Sequence, residues 1–248
     1  LKSNSDSLDL DKTAIFMSQT GGQCRASNYV ALLRKALKDL EMEQIPVISV
    51  NMSGLESNPG FKLSLGMILR GGMGFVYGDV LMKVLHATRP YEKVPGSANE
   101  LYEKWARLAR RNVYTGNMAA FKRNIKKIVK AFDELPLDET IKKPKVGVVG
   151  EILVKYHPNA NNDIVGTIEK EGGEAVVLEL IDFFLYGMYS KGFNYRHLSG
   201  SWWKMFTNKI AMKAVETFRG GAREALENSK RFVPPAFIKE TAEKAQEV

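Results

Sequence analysis

The sequence predicts an α/β fold: two parallel βαβ units of Rossmann or flavodoxin-like kind, a long helical region between them and a helical C-terminal region. Two strand–helix–strand patterns carry that prediction, one in residues 12–60 and one in residues 144–180. The third observation is helical periodicity filling residues 61–143 and 181–248. A strand that returns beside a parallel neighbour needs a crossover, and the intervening helix supplies it in the right-handed sense.

Taken in order, residues 1–11 are polar and carry no periodic signal. "TAIFM" (13–17) reads as a buried strand and is followed by a turn containing Gly21 and Gly22. From Ser27, apolar residues recur at three and four (Tyr29, Val30, Leu33, Ala36, Leu37, Leu40), which predicts a helix. "IPVISV" (45–50) is the second strand, and "NMSGLESNPG" (51–60) is a loop by its Asn, Ser, Gly and Pro content. Residues 61–87 predict an apolar helix, and 99–135 a long helix interrupted near Thr115-Gly116-Asn117. Pro136 and Pro144 bracket a linker. "KVGVVGE" (145–151) opens the second unit, and residues 152–162 form its strand-to-helix connection. Asn161 or Asn162 is expected to cap a helix over 163–171, which Gly172 ends. "GEAVVLEL" (173–180) is the last strand, and Trp202, Trp203, Met205 and Phe206 read as core or interface anchors of the helices that follow.

Bulk properties narrow the function. The chain has 248 residues, a formal net charge of +8 and one cysteine. A single cysteine rules out an intrachain disulfide and any Cys₂His₂ or Cys₄ zinc site made by these residues alone, and suits a reducing, cytoplasmic compartment. No apolar run reaches about 18 residues, so no membrane partner is expected. The first residue, Leu1, suggests a processed or excised piece of a longer chain.

Ligands of open parallel sheets bind beyond the carboxyl ends of the strands, which selects the loops 18–26 and 150–162. Cys24 lies in the first, where a helix begins and Arg25 adds a cation, both favouring thiolate. It is equally a small residue of the kind that fills a core gap. His86, His157 and His197 read as structural or exposed. "RGGMG" (70–74) lacks the ending of a phosphate-binding loop and reads as glycines that admit a packed neighbour, while Gly147 and Gly150 lack the third glycine of a dinucleotide fingerprint. Between Lys104 and Lys130 there are nine Lys/Arg and no Asp or Glu. That run reads as the solvated side of an amphipathic helix, and nucleic acid is not the expected partner.

Three segments, "FMSQTGGQCRASNYVALLRKAL", "TRPYE" and "KVGVVGEILVKYHPNANNDIVGTIEKEGGEAVV", together resemble the 2-hydroxyacyl-CoA dehydratase family. The nearest likeness is to the dehydratase-like region of large CoA-substrate-specific enzyme activases. The resemblance runs from about Thr13 to Glu179. It implies a system in which an activator-type ATPase drives low-potential electrons into a partner holding cysteine-ligated iron–sulfur clusters, which acts on a CoA thioester or related substrate. The family's Gly-Pro-Cys-Arg falls on Gly22, Gln23, Cys24 and Arg25, so the resemblance implies Cys24 as a cluster ligand. Gly21, Gly22 and Arg25 would border the cofactor. The family's Gly-Glu falls on Gly150 and Glu151, and its Asn-rich helix start on residues 159–162, adding Glu151 and Asn161. Gln23 replaces the usual proline, Ala26-Ser27-Asn28 a more aromatic stretch, and neither the family's other cysteine segments nor an ATPase phosphate-binding motif occurs in these residues. A fragment or divergent member with an incomplete or absent cluster is therefore expected, inactive alone. The alternative expectation is a non-catalytic α/β module that binds a protein partner or the phosphates of CoA through its basic helix.

Overall fold

Alternation sets the first strand, β1 (Ile15–Gln19): Ile15 and Met17 turn toward a small core while Phe16 faces solvent. The computed structural model describes residues 9–19, 24–51 and 64–245. The chain divides into two compact units, one of Leu1–Ser64 with Gly150–Asn161 and one of Leu65–Val149 with Asn162–Val248.

In the first unit β1 pairs in parallel with β2 (Val47–Asn51), Ile15 opposite Val47 and Gln19 opposite Asn51. The crossover is α1 (Tyr29–Asp39), entered through a 3₁₀ turn over Arg25–Asn28. Val30 and Leu37, two turns apart on α1, close a core with Met42, Ile45 and Val47. Both strands lie later than the patterns at 13–17 and 45–50 suggest. Thr13 is spent closing a 3₁₀ turn, its N–H donating to Leu10 O and its hydroxyl to Asp9 O (2.8 Å), and the ladder starts when Ile15 N–H donates to Pro46 O at 2.9 Å.

The second unit is mainly helical. α2 (Leu65–Thr88) buries residues around much of its circumference from Met73 to Thr88, as a helix does when it runs through the middle of a core. A Cβ on Gly72 would sit 3.3 Å from the Phe218 ring, so this glycine of "RGGMG" admits a packed neighbour, as its setting suggests. α3 (Ser97–Thr115) and α4 (Met118–Asp133) replace one long helix. Gly116, at φ +70°, ends α3, and the Asn117 side chain caps α4 by accepting from Ala120 N–H at 2.9 Å. The break at 115–117 is thus the one expected. Phe121, Ile125, Ile128, Val129 and Phe132 of α4 are buried while its lysines and arginine are exposed, which makes the basic run a solvated face.

β3 (Lys145–Val148) and β4 (Glu174–Val177) form a second parallel pair, Lys145 opposite Glu174 and Val148 opposite Val177. Both are shorter than expected, and Gly150, at φ +141°, turns the chain away after β3. Between them lie α5 (Ile152–Tyr156), inside what reads as an irregular connection, and α6 (Ile164–Lys170). Asp163, not Asn161 or Asn162, caps α6: its carboxylate accepts from Gly166 N–H, leaving both asparagines before the helix. Gly172, at φ +88°, follows the end of α6 as expected. The described strands form two separate two-stranded sheets, so the architecture is mixed α/β and mostly helical.

α7 (Leu180–His197), α8 (Trp202–Glu227) and α9 (Ile238–Lys244) complete the unit. Trp202 and Trp203 are 46% and 67% exposed and are not core anchors. "TRPYE" ties the core to the second strand pair. Arg89 makes a two-pronged pair with Glu169 (2.7 and 2.9 Å), Tyr91 donates to Glu174 (2.7 Å), and Glu92 accepts from Gly96 and Ala98 N–H at the start of α3.

Candidate functional site

The carboxyl end of β1 is held by a buried amide. Gln19 donates through Nε2 to Ser27 O (2.7 Å) and accepts at Oε1 from Ser49 Oγ (3.0 Å), joining β1, the 3₁₀ turn and β2. That pairing fixes the exit of the turn bearing Cys24. Gly21 and Gly22 lie outside the described residues. Cys24 is a half-buried free thiol in extended conformation, and its carbonyl accepts from Ser27 N–H at 3.0 Å to open the turn. Arg25 follows, exposed.

The second loop reaches the same unit. Gly150–Asn161 packs with residues 1–64, although the strands flanking it belong to the other unit. Glu151 caps α5, Oε2 accepting from Leu153 N–H (2.9 Å) and Val154 N–H (3.0 Å). Asn161 closes the other end, its amide donating to Val154 O (2.8 Å) and Lys155 O (3.2 Å). These two residues thereby hold the one-turn helix from both sides, compensating for its shortness.

Tyr29, the first residue of α1, connects the two loops. Its phenol is raised above its ordinary pKa, first by desolvation, then by hydrogen bonding to and the negative charge of Glu151, with Arg25 opposing and Cys24 adding. Glu151 Oε1 is shut off from solvent and lacks a hydrogen bond of good geometry among the described residues. The Tyr29 hydroxyl thus approaches the carboxylate without closing a well-formed bond. Cys24, Arg25, Tyr29 and Glu151 are therefore electrostatic neighbours. Tyr29 keeps its proton at neutral pH and is a donor; Arg25 is a fixed cation; Cys24 is the one thiol of the group and Glu151 its one carboxylate. The sequence marks Tyr29 only as an apolar helix position, and the available signal was its place one helical turn beyond Arg25.

Among the described residues no group of three or more His, Cys, Asp and Glu stands close enough to hold a metal ion. His157 is exposed and ends α5, His197 lies against the Phe193 ring at 4.5 Å, and burial beside Arg89 pushes His86 down to about 4. The described residues do not fit a complete iron–sulfur site; they offer one thiolate to one.

A second polar cluster lies in the core of the other unit. Arg219, 2% exposed, pairs with Glu216 (2.8 Å) and Asp182 (2.7 Å) and lies 3.6 Å from Glu179, which also pairs with Lys83 at 2.8 Å. Asp79 accepts from Leu180 and Ile181 N–H (2.8 and 3.0 Å), capping α7 from α2. Burial pushes Asp79 up to about 7 against those hydrogen bonds, and Glu179 and Asp182 push the same way. The space beside it is about 10 Å³, no more than one water would need. This cluster is structural. Comparison with protein-family models, with curated proteins and with solved structures returns no match.

Proposed function

We propose that this chain is a dehydratase-like α/β component of an ATP-driven, low-potential electron-transfer system, and that Cys24 is the thiolate it contributes to an iron–sulfur centre completed by other polypeptide. In this reading both strand pairs are Rossmann-like βαβ units, the compartment is cytoplasmic, and the partners are an activator-type ATPase and a CoA thioester or related substrate. The observation that supports it is the convergence of Cys24 and Arg25 with Glu151, residues from two loops far apart in sequence, around one tyrosine. Arg25 would set a cation beside the centre, while Glu151 and Asn161 hold the second loop in place.

The test is the native protein purified without oxygen, with iron, acid-labile sulfide and visible charge-transfer absorbance measured in wild type and Cys24→Ala. The expected result is a centre in the wild type that the variant loses in whole or large part. Full cluster loading of Cys24→Ala overturns the ligand assignment.

A second reading has its own observation. Among the described residues Lys122, Arg123 and Lys127 of α4 carry no acidic partner, whereas Lys126 and Lys130 pair with Glu224 and Glu134. A module binding CoA phosphates or an acidic protein through this face predicts binding that weakens with salt and with Lys122→Glu/Lys127→Glu, and is indifferent to Cys24→Ala.

A further inference from the structure

The helical hairpin of α7 and α8 carries, like residues 104–130, a long basic stretch without acids, and here large apolar side chains are exposed within it. From Phe183 to Val215 it contains no Asp or Glu and five cations, Lys191, Arg196, Lys204, Lys209 and Lys213, all exposed. The acids that bound this stretch, Asp182 and Glu216, are both held by Arg219, so they do not offset its field. Over residues 186–218, helical except at the connecting turn, no residue is buried.

The apolar residues there are large and exposed. Trp202, Phe206 and Ile210 follow each other one turn apart on α8, 46%, 42% and 56% exposed, with the Trp202 and Phe206 rings stacked at 5.4 Å. Trp203 (67%) and Leu198 (65%) extend this surface toward the turn. Helices whose packing ends this early leave a large apolar area in water, which the burial of a partner would remove.

We propose that this hairpin seats on a membrane surface through anionic lipid headgroups. Indole and phenyl rings interleaved with lysines, with no carboxylate among them, suit the boundary between headgroups and acyl chains. Among the described residues no helix is long and apolar enough to cross a membrane, so the contact lies on the surface. A second copy of the same face is the wrong occupant, because five cations would meet five cations. The cytoplasmic leaflet, negatively charged, is the complementary one. The proposal stands apart from the reading of Cys24.

The test is co-sedimentation of the intact protein with vesicles of phosphatidylcholine alone and of phosphatidylcholine mixed with phosphatidylglycerol. Expected is partition onto the mixed vesicles that falls with salt, together with a blue shift of tryptophan emission. Trp202→Ala/Trp203→Ala lowers that partition about tenfold or more, as does Lys191→Glu/Lys209→Glu. Lys122→Glu/Lys127→Glu on α4 leaves it unchanged. All six positions are exposed, and far-ultraviolet circular dichroism checks that the variants fold. No partition onto the mixed vesicles overturns the proposal, and so does partition that the Trp variant keeps. A loss equal in the α4 variant overturns it too, by reducing the effect to net charge, and self-association abolished by the Trp variant without vesicle binding assigns the face to another copy.

Discussion

The two units solve opposite problems. Among the described residues, the unit of β1, α1, β2 and α5 closes a core of five buried apolar residues and places Cys24, Arg25 and Glu151 beside Tyr29. The unit built on α2 buries four times as many apolar residues, and its charged cluster around Arg219 is sealed among helices. In the first unit Arg25 is exposed and the Cys24 thiol half-buried, while in the core of the second Arg219, Glu179, Asp182 and Glu216 are spent on one another. A thin core with accessible polar groups is the usual place for chemistry, because local opening there costs least.

The comparison breaks most sharply at Arg219. Arg219→Ala strands Asp182, Glu216 and Glu179 without their buried cation and should cost about 3–5 kcal/mol in denaturant unfolding. A loss below about 1 kcal/mol would show that water reaches the cluster. In the first unit the matching variant is Gln19→Ala, which leaves Ser27 O and Ser49 Oγ without the amide and should cost about 1–3 kcal/mol. Amide exchange of β1 and α1 should rise in that variant while α4 stays protected. Uniform loosening of both units would erase the contrast.

Much of this arrangement could be read from sequence, and the failures share a cause. The helix break at Gly116-Asn117 and the stop at Gly172 were legible because each is written in one local residue type with one conformation. Strand ends were not, because Thr13 is taken by a local 3₁₀ turn that its apolar neighbours do not announce, while Gln19 is decided by Ser49, thirty residues along the chain. Trp202 and Trp203 read as core or interface anchors, and their exposure removes the core alternative, because size and helical spacing describe a residue's capacity for burial and not which partner covers it. At the candidate site Cys24 was picked out by its place between a strand and a helix, and Glu151 only as what the family resemblance implies. Tyr29 was not, since only the fold of the second loop onto α1 gives it a carboxylate neighbour.

Acid titration sharpens the comparison at a smaller scale. Asp79 has a folded pKa of about 7, above its ordinary carboxylate value, so its contribution to stability is full at low pH and fades as pH rises from about 4 to 7. His86, at about 4 when folded against an ordinary 6.5, works the other way: its contribution is full above about 6.5 and fades as pH falls to about 4. Both lie on α2, and their slopes oppose. Stability measured across pH 4 to 7 should be nearly flat in these two terms, rise with pH in Asp79→Asn and fall with pH in His86→Gln. Matching slopes in the two variants would refute one assignment. Smallest of all, Glu151→Gln should lower the Tyr29 phenol toward its ordinary value in a spectrophotometric titration, by removing the neighbouring charge while keeping a side chain that can cap α5. An unmoved Tyr29 would separate the two loops.

The excursion that delivers Glu151 has a consequence for dissecting the molecule. The chain crosses between the units after Ser64, again after Val149 and a third time after Asn161. One proteolytic cut therefore cannot part them, and residues 1–64 expressed alone would carry Cys24, Arg25 and Tyr29 without the carboxylate that completes their neighbourhood. The piece with the thiol and the piece with its acidic neighbour are folded together but inherited from opposite ends of a detour. Any boundary drawn to isolate the thiol-bearing unit has to splice rather than truncate.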